Sequence, residues 1–241
     1  QITIASAGLT LRDPAGRDDP VRFENLEFEF AAAADGTFVG VVEGERLIDG
    51  VSAGIISASA IGDLIQKDFR IDVKLDEFTT TGLPVMSLQL PLALVDAGRL
   101  SGTANLLVSA GVLDAADMDI VAVEGRLDLT AAGLPVFEYD TGSVVMGYSH
   151  AAGELSLAQG ELVLTDGRTV SLSGDLRGLR EDIPQLALRL RGNRWPIKQI
   201  YEDWPAGLAP GARVALMERA AGGRLENFEL EIAGGFERAG A

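Results

Sequence analysis

The chain has 241 residues, of which 47% are hydrophobic, enough apolar material for one large domain or two ordinary ones. Thirty-six acidic residues against 20 basic ones give a net charge of -16, so the average field repels nucleic-acid phosphates and argues against nucleic-acid binding. With no cysteine and one histidine, the chain has no means to form a disulfide framework, a thiolate metal site or a multi-histidine site.

Alternating apolar and polar residues are the main pattern along the chain, and this period of two is typical of strands with one buried face. Turn signals at Asp35-Gly36, Gly153 and Asp166-Gly167 recur at short spacings, which favours antiparallel hairpins over crossover helices. We therefore predict an all-β, mostly antiparallel meander of about a dozen strands. In chain order, the predicted strands cover residues 2–11, 21–31, 38–47, 71–76, 100–108, 118–129, 143–149, 155–164, 170–176, 185–191 and 227–232.

Three of these strands show the alternation most clearly. Polar residues such as Asp72, Arg189 and Glu229 separate the apolar ones, so the two sets face opposite sides of the sheet. The apolar residues predicted to line one face are Ile71, Val73 and Leu75, then Leu186, Leu188 and Leu190, and finally Phe228, Leu230 and Ile232.

Helical spacing occurs first at Ile61, Leu64 and Ile65, where it predicts a helix of about one to two turns that ends before the strand after Asp68.

A pair of short helices is predicted at residues 194–223, interrupting the sheet before its last strand. Pro196 suits the first turn of one helix, which Pro205 would end, and Pro210 suits the start of the next, which Gly222 and Gly223 would end. Trp195 and Trp204 flank the first helix of the pair, and we predict that both are packing residues. The apolar residues at helical spacing are Ile197, Ile200, Tyr201 and Trp204 in one helix, and Val214, Met217 and Ala221 in the other.

A nucleophile site is suggested by Gly147-Tyr148-Ser149-His150, but Ala151 stands where a hydrolase elbow needs a second glycine. Adjacent strand residues face opposite sides, so Ser149 and His150 are interpreted as a half-exposed pair near a turn. No glycine-rich phosphate loop is present in the sequence. We predict that the chain is not an enzyme and takes no cofactor. A carbohydrate-active enzyme on a β scaffold stays open as an alternative, because its carboxylate pair is defined only in space.

Asp114, Asp117 and Asp119 carry the oxygen donors that calcium prefers. Their spacing fits no EF-hand loop, and chance clusters are common in so acidic a chain. We predict no metal site, and a solvated turn that leads into the strand beginning near Met118.

The chain begins with Gln1 rather than methionine, so we expect it to be a segment of a larger protein. Its longest apolar-leaning run, residues 83–95, is interrupted by Ser87 and Gln89 and is far shorter than the roughly 18 to 20 apolar residues of a membrane helix. The start of the chain has no basic region followed by an apolar stretch, so any targeting signal is expected outside this sequence.

The C-terminal stretch of the chain carries a series of short motifs. Trp204-Pro205 precedes Ala209-Pro210-Gly211-Ala212-Arg213 at a helix start, and Gly222-Gly223-Arg224 then leads into a strand through Asn227 and Phe228. This series resembles the AsmA-like superfamily, and within it the YhdP-type branch of periplasmic bridge-like lipid transfer proteins. The resemblance spans roughly residues 194–236. One departure is Ala215, which stands where that branch usually has an aromatic residue.

The resemblance implies a long, twisted and curled antiparallel sheet that forms a hydrophobic groove, with residues 1–241 as one elongated segment of it. It also implies a periplasmic, cell-envelope protein, with a parent anchored in the inner membrane through a region outside this sequence. Phospholipid or another acyl lipid would be the partner, in a role that serves outer-membrane biogenesis. The nine apolar residues named above would then bind lipid, and other envelope proteins are further expected partners.

An ordinary β-sandwich with a filled core produces the same alternation, because its two apolar faces cover each other. On that interpretation the chain is a structural or adhesive β-module that binds a protein partner through a sheet edge. The sequence therefore leaves one structural question open: whether the face with Ile71, Val73 and Leu75 is covered by protein.

Overall fold

The computed structural model describes residues 1–11, 21–80, 93–96, 98–128, 136–181, 183–203, 211, 214, 218 and 222–235. Within them, the chain forms 13 strands and one continuous short helix, and three separate residues further along are also helical. These are β1 Ile2–Leu11, β2 Val21–Ala32, β3 Thr37–Ile48, β4 Val51–Asp63, β5 Asp68–Thr79, β6 Ala93–Asp96, β7 Arg99–Ser109, β8 Val112–Asp128, β9 Val136–Ser149, β10 Glu154–Leu164, β11 Thr169–Arg177, β12 Gln185–Pro196, α1 Ile197–Asp203 and β13 Arg224–Gly235.

All of the strands belong to one antiparallel sheet, and the predicted meander is confirmed. The strands follow one another in chain order from β1 to β13, except that the short β6 pairs with β8 beside β7. In the described part of the chain, β1 pairs only with β2 and β13 only with β12, so the sheet is open at both edges.

Two sequence predictions around β4 are wrong. Residues 51–63 form a strand that the sequence did not indicate, and the short helix predicted around Ile61 is instead the end of this strand and a turn. Ile55 and Ile61 are exposed on the opposite side from Ile56 and Ala58, so apolar residues occur on both faces of β4 and obscure the period of two. The side chain of Asp63 accepts hydrogen bonds from the backbone nitrogens of Ile65 and Gln66, which gives this turn a local resemblance to a helix start.

The first helix of the predicted pair is confirmed as α1. Of the second, the structure describes Gly211, Val214 and Glu218, which are helical, while its other residues lie outside the described ones, so a complete second helix is not confirmed. Trp204 also lies outside the described residues.

Bulges bend the strands. Ser6, Asn25 and Glu77 have positive φ angles of 58°, 51° and 46°, and each falls where the pairing register of its strand shifts. A bulge places an extra residue on one strand, which bends that strand and increases its twist.

Side-chain contacts show the resulting curl. Phe137 in β9 and Trp195 in β12 have ring centroids 6.4 Å apart, and Phe23 in β2 and Phe78 in β5 have centroids 6.3 Å apart. Each pair is separated by three strand spacings, about 14 Å in a flat sheet. The sheet therefore curls toward the face that carries these rings.

The buried core lies at one end of the sheet, which we call the helix end. There Tyr139, Leu164 and Trp195 form a buried cluster, and Ile200 of α1 packs against it. The other end, which carries the turns at 64–67 and 150–153 and residues 178–181 after β11, is called the opposite end.

Candidate functional site: a continuous apolar face

The nine apolar residues singled out from the sequence all lie on one face of the sheet. Leu188 and Leu190 in β12 lie directly opposite Ile232 and Leu230 in β13. The remaining strands connect this pair of strands to Val73 and its neighbours in β5 through an unbroken series of register partners. We call the side of the sheet that carries these residues the apolar face, and the other side the polar face.

Rows of register partners run across the sheet on the apolar face, one of them through every strand of the main path from β1 to β13. Since adjacent strands lie about 4.8 Å apart, a row with one residue from each strand of the main path is about 50 Å long, measured along the sheet. The row through Val73 consists of Ile4, Phe28, Val42, Ala58, Val73, Ala104, Met118, Met146, Leu157, Gly174, Leu188 and Ile232. The row through Leu75 consists of Gly44, Ile56, Leu75, Gly102, Ile120, Val144, Gly160, Leu172, Leu190 and Leu230.

No described part of the chain forms a second layer over the middle of this face. All nine predicted residues are half-buried, whereas a filled sandwich core would bury them. Among the described residues, the buried hydrophobic side chains apart from Pro184 lie at the helix end. They are Ala53, Phe78, Tyr139, Leu164, Trp195 and Ile197.

Ion pairs mark the polar face of β12 and β13. Arg189 lies 2.6 Å from Glu231 and 3.1 Å from Glu229, and Arg191 lies 2.8 Å from Glu229. Glu231 accepts a hydrogen bond from Arg189 and thereby raises the pKa of that guanidinium above its ordinary value. Charged groups of this kind face water, which leaves the apolar face as the side available to an apolar ligand.

An aromatic cluster closes the apolar face at the helix end. The indole nitrogen of Trp195 donates to the backbone oxygen of Thr169 over 3.2 Å, and the Arg168 guanidinium lies 4.2 Å from the centroid of its ring. Phe137 and Phe228 pack on the same ring edge to face. The prediction that Trp195 is a packing residue is confirmed.

Arg46 is the one buried charged residue among the described residues. Its guanidinium lies 5.6 Å from the centroid of the Phe78 ring and donates to the Thr79 carbonyl, while burial lowers its pKa below the ordinary arginine value. Arg46 was not predicted from the sequence, although it continues the alternation of Val42 and Gly44 and so stands in an apolar position.

The residues considered for catalysis hold turns together. The Ser149 hydroxyl accepts a hydrogen bond from the Ala152 backbone nitrogen over 3.2 Å, and the Tyr148 hydroxyl lies 3.1 Å from Nδ1 of His150. Ser149 ends β9 and His150 begins the following turn, both half-buried, which confirms their predicted position near a turn.

Asp114, Asp117 and Asp119 lie within β8 rather than in the predicted turn, because this strand begins at Val112. Within the described ranges, no group of three or more acidic, histidine or cysteine side chains gathers to hold a metal ion.

A shallow depression at the helix end is lined by charged side chains, among them Glu124, Arg126, Glu138 and Asp140. Because burying charged groups against an acyl chain is unfavourable, this depression does not extend the apolar face.

No protein-family model, curated protein or solved structure matches this chain. Among the residues that the structure describes, no helix has the length and apolar character needed to cross a bilayer.

Proposed function

We propose that this chain is a non-enzymatic lipid-binding or lipid-transport segment that holds acyl chains on the apolar face. The observation that carries the proposal is the continuous set of apolar rows with no described second layer over its middle. An acyl chain lying there would serve as the missing layer and gain about 0.8 kcal/mol for each methylene removed from water.

The proposal extends to a cell-envelope protein of the AsmA-like type, in which the apolar face carries lipid through the periplasm between inner and outer membranes. Support for this part comes from the motif series at residues 194–236 and from the open, curled antiparallel sheet. The acidic composition keeps such a segment in water while its apolar face holds lipid.

The decisive measurement is mass spectrometry of organic extracts of the purified full chain, with phospholipid as the expected finding. Leu188→Asn introduces a polar amide into the apolar face, and Ala187→Asn places the same amide on the polar face of the same strand as the matched control. We expect Leu188→Asn to retain several-fold less lipid and Ala187→Asn to retain as much as the unmodified chain, since an unpaired amide against hydrocarbon costs about 1 to 3 kcal/mol. If no lipid is extracted from the unmodified chain, the proposal is contradicted.

A second candidate function is a β-module that binds a protein partner through a sheet edge. The observation that favours it is the pair of edges, because β1 and β13 each pair on one side only in the described part of the chain. Free backbone groups on such edges accept an added strand. Cross-linking that captures one dominant protein partner, from preparations free of lipid, would favour this candidate over the first.

A further inference from the structure

Three hydrogen-bond donors lie together at the opposite end of the apolar face. Tyr148 belongs to an apolar row, where its neighbours across the sheet are Ala116 and Leu155. Its hydroxyl contacts Nδ1 of His150 at 3.1 Å, and Arg180 donates to the backbone oxygen of the same histidine. We call Tyr148, His150 and Arg180 the rim cluster.

Arg180 brings one guanidinium to the rim cluster. Arg180 forms no ion pair with any carboxylate among the described residues, whereas the nearby Glu154 and Asp175 are both paired with Arg177, at 3.3 Å and 2.9 Å. A tyrosine hydroxyl, an imidazole N–H and a guanidinium can all donate hydrogen bonds. Such a set suits the oxygens of a phosphate or carboxylate group, for which hydrogen bonds from a charged donor are the strong ones.

The rim cluster is placed at one end of an apolar track. From Tyr148, β9 runs nine residues to Tyr139 in the buried cluster at the helix end, a distance of about 30 Å along an extended strand. The side chains between them on the apolar face are Met146 and Val144, with Gly142 providing bare backbone. The hydrocarbon core of a bilayer is about 30 Å thick and contains two layers of acyl tails. One tail is therefore about half that length, and it fits along this track.

We propose that the rim cluster binds the anionic head group, phosphate or carboxylate, of an acyl amphiphile whose tail lies on the apolar face. The proposal rests on the lipid-binding function above and adds to it a position and a charge for the head group. Arg180 supplies the positive charge. In the arrangement proposed, Nδ1–H of His150 donates to the Tyr148 hydroxyl, which in turn donates the further hydrogen bond to the head group at the boundary between apolar face and solvent.

Calorimetric titration of the full chain with dodecyl phosphate, dodecanoate, neutral dodecyl maltoside and inorganic phosphate tests this assignment, with each amphiphile kept below its micellar concentration. We expect Arg180→Gln and Tyr148→Phe to weaken binding of the anionic amphiphiles by about tenfold, the usual effect of losing a hydrogen bond to a charged group. Binding of the maltoside should not change. Arg191→Gln, which removes an arginine from the polar face, is the matched control and should leave all four titrations unchanged.

If Arg180→Gln weakens the binding of dodecyl phosphate alone, the proposal is supported with phosphate as the head group. If it weakens the binding of dodecanoate alone, the proposal is supported with carboxylate as the head group. Equal binding of anionic and neutral amphiphiles, unaffected by Arg180→Gln, overturns the rim assignment while lipid binding stands. If inorganic phosphate binds but none of the three amphiphiles binds, both proposals are overturned. The same holds if no ligand binds at all. Circular dichroism and thermal unfolding of each variant distinguish a loss of binding from a loss of folding.

Discussion

Glycine at position 174 allows two strands of the apolar face to approach closely. Its φ is +154°, and a Cβ atom built on it would lie 2.1 Å from the backbone oxygen of Ala187 in β12. Backbone atoms have little freedom to move aside, so only glycine fits. Gly234, on the same face in β13, has nothing within 4 Å of an added Cβ.

Gly174→Ala should lower the free energy of unfolding by about 2 kcal/mol, because the methyl group forces β11 and β12 apart. Gly234→Ala is the matched control, and its effect should be small. Chemical denaturation of the two variants measures the difference. Equal stability of both variants would contradict the close approach of β11 and β12 at this position.

Asp35 gives the hairpin between β2 and β3 a pH dependence. Its Oδ1 accepts hydrogen bonds from the Thr37 hydroxyl at 2.7 Å and the Thr37 backbone nitrogen at 3.0 Å, and these bonds lower the pKa of Asp35 below 3.8. A carboxyl with a lowered folded-state pKa contributes stability above its unfolded pKa and loses it as pH falls through the folded value.

Asp35→Ala should therefore destabilise the chain at neutral pH, and the deficit relative to the unmodified chain should shrink as pH falls below 3.8. Denaturation curves at neutral and acidic pH measure it. Asp76→Ala provides the comparison, since Asp76 is exposed on the polar face of β5. A deficit for Asp35→Ala that stays constant with pH would contradict the assigned role of the carboxylate.

Among the strands, charge is arranged differently at the two edges of the sheet. At the C-terminal edge, Arg189 and Arg191 lie opposite Glu231 and Glu229. Near the N-terminal edge, Glu24 lies opposite Glu45 and Glu27 opposite Glu43. Like charges directly opposite each other on antiparallel strands destabilise the pairing.

Glu43→Lys should stabilise the chain by about 0.5 kcal/mol, because it converts a repulsive cross-strand pair with Glu27 into an attractive one. Glu231→Lys makes the reverse change opposite Arg189 and should lower stability. Thermal unfolding at low and high salt checks both, since screening should reduce both effects. If the two variants shifted in the same direction, cross-strand charge would not be the cause.

How well the strands could be predicted depended on how sharply their two faces differ. In β5, β12 and β13 a charged residue follows almost every apolar one. Both the strands and the residues on their apolar face were therefore predicted correctly. β4 alternates Ile, Ala, Ser and Gly with apolar residues on both sides, and its burial pattern does not alternate either, because residues 56–60 are half-buried on both faces. Arg46 was missed for a related reason: its partner Phe78 lies two strands away, on β5, and becomes a neighbour only in the folded sheet.

For the whole molecule, the open, curled sheet implied by the resemblance is confirmed, but the alternation of residues did not predict the curl or the coverage of the apolar face. The alternation indicated one apolar and one polar face but not whether the apolar face meets a second sheet, because both arrangements require the same period of two. The pairs Phe137–Trp195 and Phe23–Phe78 are brought close by a bent sheet, and the bulges at Ser6, Asn25 and Glu77 fall inside alternating strands where no glycine or proline marks them.

Small-angle X-ray scattering should give a radius of gyration clearly above the roughly 18 Å of a compact domain of this length, because a single open sheet extends across its strands. The measurement requires monodisperse protein below the concentration at which sheet edges associate. A value near the compact estimate would mean that the apolar face is covered in solution.

The apolar rows have a consequence for motion along the sheet. A hydrocarbon chain that moves sideways by one strand spacing, about 4.8 Å, leaves one set of aliphatic contacts for a nearly equivalent set. Between β7 and β11, for example, the row through Val73 offers Ala104, two methionines, Leu157 and Gly174 in succession, with no charged or hydrogen-bonding side chain. If the chain binds lipid as proposed, we expect a shallow energy profile along such a row, with displacement that needs no backbone rearrangement and no external source of energy.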